Sequence, residues 1–195
     1  MIPELAGTTE LLLIVAQYPG LLGVAALLLA LCLLSIRRRR SRAREAIHVR
    51  RRREAARQLN RLLRMKSASK QLAHLKTVNP YVFEEMILTA LQRRGHRVVR
   101  NLRYSHDGGI DGQALIRGRH YLIQAKRYNR HINPAHVEHF VQICRKRRRR
   151  GLFVHTGVVS ERSTRIARKG RVEIIGDEYL LKILLRRRRW IVERV

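Results

Sequence analysis

The chain has 195 residues, and its 43 lysines and arginines against 14 acidic residues give a formal net charge of +29. This charge favours a polyanionic partner, so we expect nucleic acid or an anionic membrane surface. Most of the basic residues are arginines, a bias that a GC-rich genome would also produce. The two cysteines, Cys32 and Cys144, are too few for a disulfide framework and favour a reducing compartment.

An uncharged and mostly apolar run covers residues 11–36, after a short segment at 1–10. A membrane-spanning helix needs roughly 20 such residues. The run therefore predicts a transmembrane helix, with a buried core helix as the alternative. Four arginines, 37–40, follow it directly. Because cytoplasmic flanks carry the excess of Lys and Arg, we expect a single-pass membrane protein whose C-terminal domain is cytoplasmic.

Residues 37–78 are basic and favour helix, with a second run of arginines at 50–53. This segment is interpreted as a juxtamembrane helical linker, or stalk. Three roles stay open for it. It could lie on anionic lipid headgroups, where each charge is worth about 1 kcal/mol, it could contact DNA phosphates, or it could be a solvated helix.

The next helix is predicted to begin at Asn79-Pro80, because asparagine caps helices and proline suits their first position. It should end before Gly95. Glu84 lies at the edge of its apolar stripe, where an unpaired acid would be costly, so this side chain calls for a partner. Glu85 is expected to face the more polar side.

Three strands follow, at 97–102, 110–117 and 120–127. With a two-residue loop at 118–119, the register sets Asp111 opposite Lys126, on one face with Gln124. A slip of one residue would move Asp111 to the other face.

A second helix is predicted after Asn133-Pro134, on the same capping pattern as the first. The remaining elements are a buried strand at 151–157, a helix at 160–169, a strand at 172–175 and a helix at 177–185. This order predicts an α/β fold in which a mixed sheet is covered on both faces by helices.

The residues around the hairpin suggest metal-assisted hydrolysis of phosphodiesters. Asp111 can bind a hard cation such as Mg²⁺, with Glu84 as a candidate second carboxylate. Lys126, on the same face as Gln124, could orient or help to deprotonate an attacking water, and a metal would polarise that water and a phosphoryl oxygen.

Four segments of the domain carry a family resemblance: NPYVFEEMILTALQRRGHRV, HDGGIDGQALIRG, YLIQAKRYN and LFVHTGVVSERSTRIARKGRVEIIGDEYLLKIL. Together they resemble the Mrr-type restriction endonuclease domain of the PD-(D/E)xK nuclease superfamily. The resemblance implies a restriction-endonuclease-like domain over residues 79–188, followed by a tail at 189–195. It implies Glu84, Asp111, Gln124 and Lys126 as catalytic residues, with Gln124 where most of the superfamily has an acid. Asp111, Glu84 and the backbone carbonyl of Ala125 would bind Mg²⁺ or Mn²⁺.

The resulting prediction is a membrane-anchored, Mg²⁺-dependent deoxyribonuclease that resembles type IV restriction endonucleases. The expected partners are DNA, anionic lipids near the basic stalk, and a second copy in a homodimer. No separate target-recognition domain is evident before Asn79, so recognition of methylated DNA does not carry over. The residues predicted to contact the DNA backbone are Arg127, Arg130, Arg147, Arg148, Arg149 and Arg150.

Two other classes of function stay open. The same fold could bind DNA without cutting it and tether it to the membrane. It could also serve as a lipid-surface or assembly component whose nuclease-like domain contacts a protein. A half zinc site at His136 and His139 is a weaker alternative, because no second ligand pair has the usual spacing.

Overall fold

The computed structural model describes residues 19–101 and 109–185, and it divides the chain into two compact units, 1–47 and 48–195. The predicted segments 1–10 and 189–195 therefore lie outside the described residues. The helices are α1 Pro19–Arg64, α2 Ala68–Leu75, α3 Pro80–Arg93, α4 Pro134–Lys146, α5 Glu161–Lys169 and α6 Asp177–Leu185. The strands are β1 Arg97–Arg100, β2 Gly112–Ile116, β3 Arg119–Lys126, β4 Arg150–His155 and β5 Val172–Ile175.

Within the first unit, the described residues 19–47 are helical and belong to α1. Their large apolar side chains are exposed, including Leu27, Leu28, Leu29 and Leu31. No helix in the described ranges, 19–101 and 109–185, is both long and apolar enough to cross a membrane.

The second unit is built on a five-stranded mixed sheet in the order β1-β2-β3-β4-β5. The first three strands form an antiparallel meander, and β3, β4 and β5 run parallel. Helices connect the parallel strands, because a parallel neighbour can only be reached by a crossover. The predicted mixed α/β sheet is confirmed.

The two faces of the sheet are covered by separate hydrophobic cores. On one face, α3 and α6 pack with Ile123 and Val154, and on the other face α4 and α5 pack with Leu122 and Phe153. Side chains along β3 alternate between the cores, as they must on a strand.

The first core also takes in part of the segment that was interpreted as a basic linker. Ala55, Leu59 and Leu62 of α1 are buried there, together with Leu75 of α2. Ala55, Leu59 and Leu62 are four and three residues apart and form an apolar stripe on a helix that is otherwise basic. The second half of the predicted 37–78 linker is thus packed as part of the second unit.

The predicted helix starts are confirmed by their capping bonds. The Asn79 side chain accepts a hydrogen bond from the backbone N–H of Tyr81 at 3.0 Å, and the Asn133 side chain accepts one from that of Ala135 at 2.9 Å. Gly95, with φ of 84°, follows the end of α3. These boundaries depend on adjacent residues only, which is why the sequence predicts them well.

The predicted hairpin register is wrong by two residues. The turn consists of Arg117 and Gly118, with φ of 49° and 74°, rather than residues 118–119. Gly112 therefore pairs with Ile123, and Asp111 precedes β2 instead of pairing with Lys126. One of the two common two-residue turns, type I′, needs positive φ at both turn positions, and Arg117 adopts it although arginine gives no signal for this. A shift of two residues keeps every side chain on its predicted face.

Candidate active site

A pocket of about 190 Å³ lies where β3 ends, beside the start of α3 and the segment that leads into β2. All five residues that were predicted as catalytic or metal-binding line it. They are Glu84, Asp111, Gln124, Ala125 and Lys126. Three separate stretches of chain supply them, so tertiary folding brings the set together.

Asp111 occupies an irregular position just before β2. Its backbone N–H donates to the carbonyl of Ile123 at 2.9 Å, whereas its carbonyl accepts from the N–H of Asn101 at 3.0 Å on the opposite side. A regular strand residue directs both groups to one neighbour. The irregularity turns the carboxylate toward β3, where Oδ2 accepts from the N–H of Ala125 at 2.6 Å.

The backbone of Ala125 contributes to the same pocket. The N–H and the carbonyl of one strand residue point to the same side of the strand. Because the N–H of Ala125 meets the carboxylate of Asp111, its carbonyl oxygen also points to that side. A carboxylate and a carbonyl oxygen therefore lie near each other.

Gln124 presents a buried acceptor to the pocket. Its side-chain Nε2 donates to the carbonyl of Gly109 at 2.7 Å, which fixes the orientation of the amide. The other amide atom, Oε1, is buried without a hydrogen-bond partner among the described residues. Burying an acceptor without a donor costs about 1–3 kcal/mol. An electropositive partner at this atom would remove that cost.

Gly109 is required by this contact. A Cβ at position 109 would lie 2.6 Å from Nε2 of Gln124, closer than side chains approach each other. The residue also has a φ of 82°, which favours glycine. Gly109, two residues before Asp111, thus supports the orientation of Gln124.

The two pocket carboxyls are held toward their neutral form. Burial raises the pKa of Glu84 to about 8, and the neighbouring Asp111 carboxylate adds to this rise. Burial also raises the pKa of Asp111 to about 7, against the Ala125 N–H and the Lys126 charge, which both lower it. Two carboxyls that share a partly dry pocket repel each other when ionised. A cation between them would stabilise both charges.

The prediction that Glu85 faces the more polar side of its helix is wrong, because this side chain is buried. Its Oε2 accepts from Nε of Arg100 on β1 at 2.9 Å. The guanidinium also donates to the hydroxyl of Thr89 at 3.4 Å. The prediction failed because β1 lies across this side of α3, and no local pattern signals that Arg100 supplies the opposite charge. Glu85 lines the pocket but is engaged in a buried ion pair.

Tyr81 and Arg51 are two neighbours of the site that the sequence did not predict. Tyr81 lines the pocket, one helical turn before Glu84. The guanidinium carbon of Arg51 on α1 lies 4.1 Å from the centroid of the Tyr81 ring. The spacing of Tyr81 and Glu84 on α3 was a usable signal, since residues three apart share a helix face. The contact with Arg51 had no such local signal.

The predicted DNA-contacting arginines are not gathered at the pocket. Arg127 donates through Nη1 to the carbonyl of Lys76, beyond α2. Arg130 is exposed in the segment after β3. Arg150 pairs with Tyr121, five residues before Lys126 on β3. The run of Arg147, Arg148, Arg149 and Arg150 therefore lies at the other end of the strand, roughly 16 Å away along its axis.

Among the residues that the structure describes, no third ligand joins the histidines of α4. The hydroxyl of Tyr128 lies 2.7 Å from Nδ1 of His136, and Cys144 is buried in the core. Across residues 19–101 and 109–185, no group of three or more His, Cys, Asp and Glu side chains could hold a metal ion. Three carboxylates line the pocket among the described residues. Glu85 is paired with Arg100, which leaves Glu84 and Asp111 beside the amide and carbonyl oxygens.

The mixed sheet and this pocket fit the class of restriction-endonuclease-like nucleases. A family model for the Mrr catalytic domain, described as restriction endonuclease, matches residues 75–184, which is more than half of the chain. The chain belongs to this family of nucleases, and its domain is therefore a DNA-binding one. No curated protein and no solved structure matches the chain.

Proposed function

We propose that this protein is a deoxyribonuclease that uses Mg²⁺ or Mn²⁺, and that the pocket at the end of β3 is its active site. One observation carries the proposal. The carboxylate of Asp111 and the unpartnered Oε1 of Gln124 line the same pocket as Lys126. An anionic acceptor and a neutral acceptor without a donor can bind a divalent cation, and a neighbouring lysine can hold water or offset phosphate charge, which suits metal-assisted hydrolysis of a phosphodiester.

The donor atoms fit a hard divalent cation. Asp111 and Glu84 offer carboxylate oxygens, the backbone of Ala125 offers a carbonyl, and Gln124 offers its amide oxygen. Oxygen donors of this kind suit Mg²⁺ and Mn²⁺, whereas zinc and copper favour sulfur and nitrogen. Burial raises the pKa values of both carboxyls, so their charged forms are costly in the pocket, and a bound cation would stabilise them.

Each side chain has a distinct role in the proposed reaction. When bound, the cation would stabilise charge on the phosphoryl oxygens and lower the pKa of the attacking water. Lys126 would hold that water and balance the charge of the phosphodiester. Asp111 and Glu84 would hold the cation, and Oε1 of Gln124 would offer it a neutral oxygen without adding a third negative charge. Lys126 would then position the attacking water, while the bound cation would stabilise the charge on the phosphoryl group.

The runner-up is a DNA-binding protein of the same fold that does not cut. Such a protein needs a positively charged surface, but it does not need carboxylate and amide oxygens gathered in one pocket. The placement of Asp111, Gln124 and Lys126 around one pocket favours the nuclease, because simple backbone binding gains nothing from buried acidic and amide acceptors. Cleavage of methylated sites is not part of the proposal.

The test is nicking of supercoiled plasmid by the full-length protein in mild detergent, with Mg²⁺ or Mn²⁺. We expect the wild type to produce open circles, and the chelator EDTA to stop it. Lys126→Ala, purified identically, should bind DNA and leave it intact. Equal nicking by Lys126→Ala would show a contaminant or a different site. DNA binding without nicking by both proteins, under either metal, would favour the runner-up.

We further propose that residues 11–36 anchor the protein in a membrane, with the nuclease domain in the cytoplasm. The support is the absence of charge over this run and the arginines at 37–40 that follow it. The run begins before the first described residue, and the part that is described exposes its leucines. Anionic lipid would then contact the arginines after the run. If carbonate washing of broken cells releases the full-length protein, this anchor is refuted.

A further inference from the structure

Arg51 lies on α1, well before the residues that the family model matches. It occupies the inward side of this helix, because Ala55, Leu59 and Leu62 follow it at positions four, eight and eleven and are buried. Arg51 is itself half-buried, whereas Arg64 at the end of the same helix is exposed. The helix thus directs one of its many arginines toward the nuclease domain.

A contact with Tyr81 places Arg51 beside the pocket. Its guanidinium stacks over the ring of Tyr81, which lines the pocket one helical turn before Glu84, at 4.1 Å from the ring centroid. Stacking uses the face of the guanidinium, whereas phosphate is bound by its in-plane N–H groups, so the two contacts are compatible.

The charges around the pocket indicate why a further cation at its mouth would favour DNA binding. Glu84 and Asp111 both repel a phosphodiester when they are ionised, and Glu85 is engaged with Arg100. Lys126 is the cationic side chain among the pocket-lining residues that the structure describes. A second cation at the rim would offset this repulsion as the DNA backbone approaches.

We propose that Arg51 binds a backbone phosphate of DNA at the mouth of the pocket, so that the part of α1 around Arg51 belongs to the substrate-binding surface of the nuclease. The inference depends on the proposed function. The Tyr81 ring holds the guanidinium in place, so less conformational entropy is lost when phosphate binds. Arginine suits this task because its planar fork matches two phosphate oxygens, which the point charge of lysine does not.

The test compares Arg51→Ala and Arg51→Lys with Arg64→Ala in the full-length protein. Arg64→Ala removes the same charge from the same helix, roughly 20 Å along its axis. Affinity for a short duplex is measured by fluorescence anisotropy in EDTA over a series of salt concentrations. Single-turnover cleavage is then measured with Mg²⁺, and thermal unfolding checks that each variant is folded.

We expect Arg51→Ala to weaken DNA binding about tenfold and to reduce the slope of log affinity against log salt by about 0.9, as the loss of one phosphate contact would. Arg51→Lys should recover part of the affinity. Arg64→Ala should change binding less than about threefold, and it should cleave like the wild type. A purely structural role for Arg51 would lower the unfolding temperature and leave the salt slope unchanged.

Equal losses in Arg51→Ala and Arg64→Ala would overturn the inference, because only the total charge would then matter. So would an unchanged salt slope in Arg51→Ala. Failure of the proposed function gives a different result. In that case the wild type does not cut under either metal, while the binding data in EDTA still decide whether Arg51 contacts phosphate.

Discussion

Oδ2 of Asp111 accepts a hydrogen bond from the backbone N–H of Ala125 at 2.6 Å. The carboxylate accepts from β3 where a backbone carbonyl of the neighbouring strand would otherwise do so, just beyond the end of the regular β2 pairing. One side chain both completes the ladder of hydrogen bonds and presents negative charge to the pocket. Structural and proposed catalytic roles can therefore be separated by changing charge without changing shape.

Asp111→Asn should fold and lose its response to metal. Asparagine keeps an oxygen that can accept from Ala125, and it removes the repulsion between Asp111 and Glu84. In the absence of metal we expect the variant to be at least as stable as the wild type, with a gain on the order of 1 kcal/mol. Thermal unfolding with and without Mg²⁺ checks this. Addition of Mg²⁺ should raise the wild-type unfolding temperature and leave that of Asp111→Asn unchanged. A metal response of the same size in both proteins would refute Asp111 as a ligand.

Gly109→Ala should abolish cleavage through Gln124. The added Cβ would meet Nε2 of Gln124 at 2.6 Å and displace the amide that faces the pocket. Gly118→Ala is the matched control, since Gly118 also has a positive φ, of 74°, but open space around its Cβ position. Both substitutions should cost about 1 kcal/mol of unfolding free energy from backbone strain.

The two glycine variants are compared by urea denaturation and by plasmid nicking. We expect Gly118→Ala to cut like the wild type and Gly109→Ala to be inactive. If the two variants lose activity to the same extent, backbone strain rather than the position of Gln124 controls the site.

Arg100→Ala should destabilise the protein strongly, because it leaves the buried carboxylate of Glu85 without its cation. Breaking a buried ion pair from one side costs about 3–5 kcal/mol. Arg97→Ala, on the same strand but exposed, should cost less than about 0.5 kcal/mol. The measurement is urea denaturation of both variants and of the double variant Arg100→Ala with Glu85→Gln. The double variant should recover part of the loss. No recovery would mean that the charge of Glu85 is not the source of the cost.

His155 should make stability fall in mild acid. It is fully buried on β4, and burial lowers its pKa, although the nearby Asp177 and a backbone hydrogen bond with Gly157 act in the opposite direction. The unfolded chain binds this proton near pH 6.5, while the folded chain does not bind it until a lower pH. The stabilising contribution is therefore complete above about pH 6.5, and it is lost as the pH falls from there toward the folded-state pKa.

The pH effect is measured as the difference in unfolding free energy between pH 7.5 and pH 5.5, for the wild type and for His155→Gln. The glutamine variant should show a smaller decrease, because the proton-binding group is gone. An equal decrease in both proteins would assign the acid sensitivity to other groups.

Local chemistry explains which parts of this structure could be predicted from the sequence. The caps at Asn79 and Asn133 were predicted because each depends on two adjacent residues. The five pocket residues were predicted from the family resemblance and from the alternation of side chains along a strand. A register shift of two residues leaves each side chain on its predicted face, so the prediction of these residues was not affected. The turn at Arg117 was missed because arginine rarely adopts a positive φ.

The missed side-chain partnerships are all tertiary. Glu85 finds Arg100 across the contact between α3 and β1, and Arg51 finds Tyr81 across thirty positions of chain. In each case both partners have ordinary surface chemistry, so neither signals its contact in the sequence. The buried apolar stripe of α1 was missed as well, because the many arginines of this helix make its sequence resemble that of an exposed helix.

The most direct test of the central claim is the Mg²⁺ dependence of plasmid nicking by the wild type and by Asp111→Asn. Our account predicts a rate that rises and saturates with Mg²⁺ in the wild type, and no nicking above the buffer control in a folded Asp111→Asn. Nicking by Asp111→Asn with the same dependence on Mg²⁺ would contradict it, because the carboxylate at the end of β3 would then take no part in the reaction.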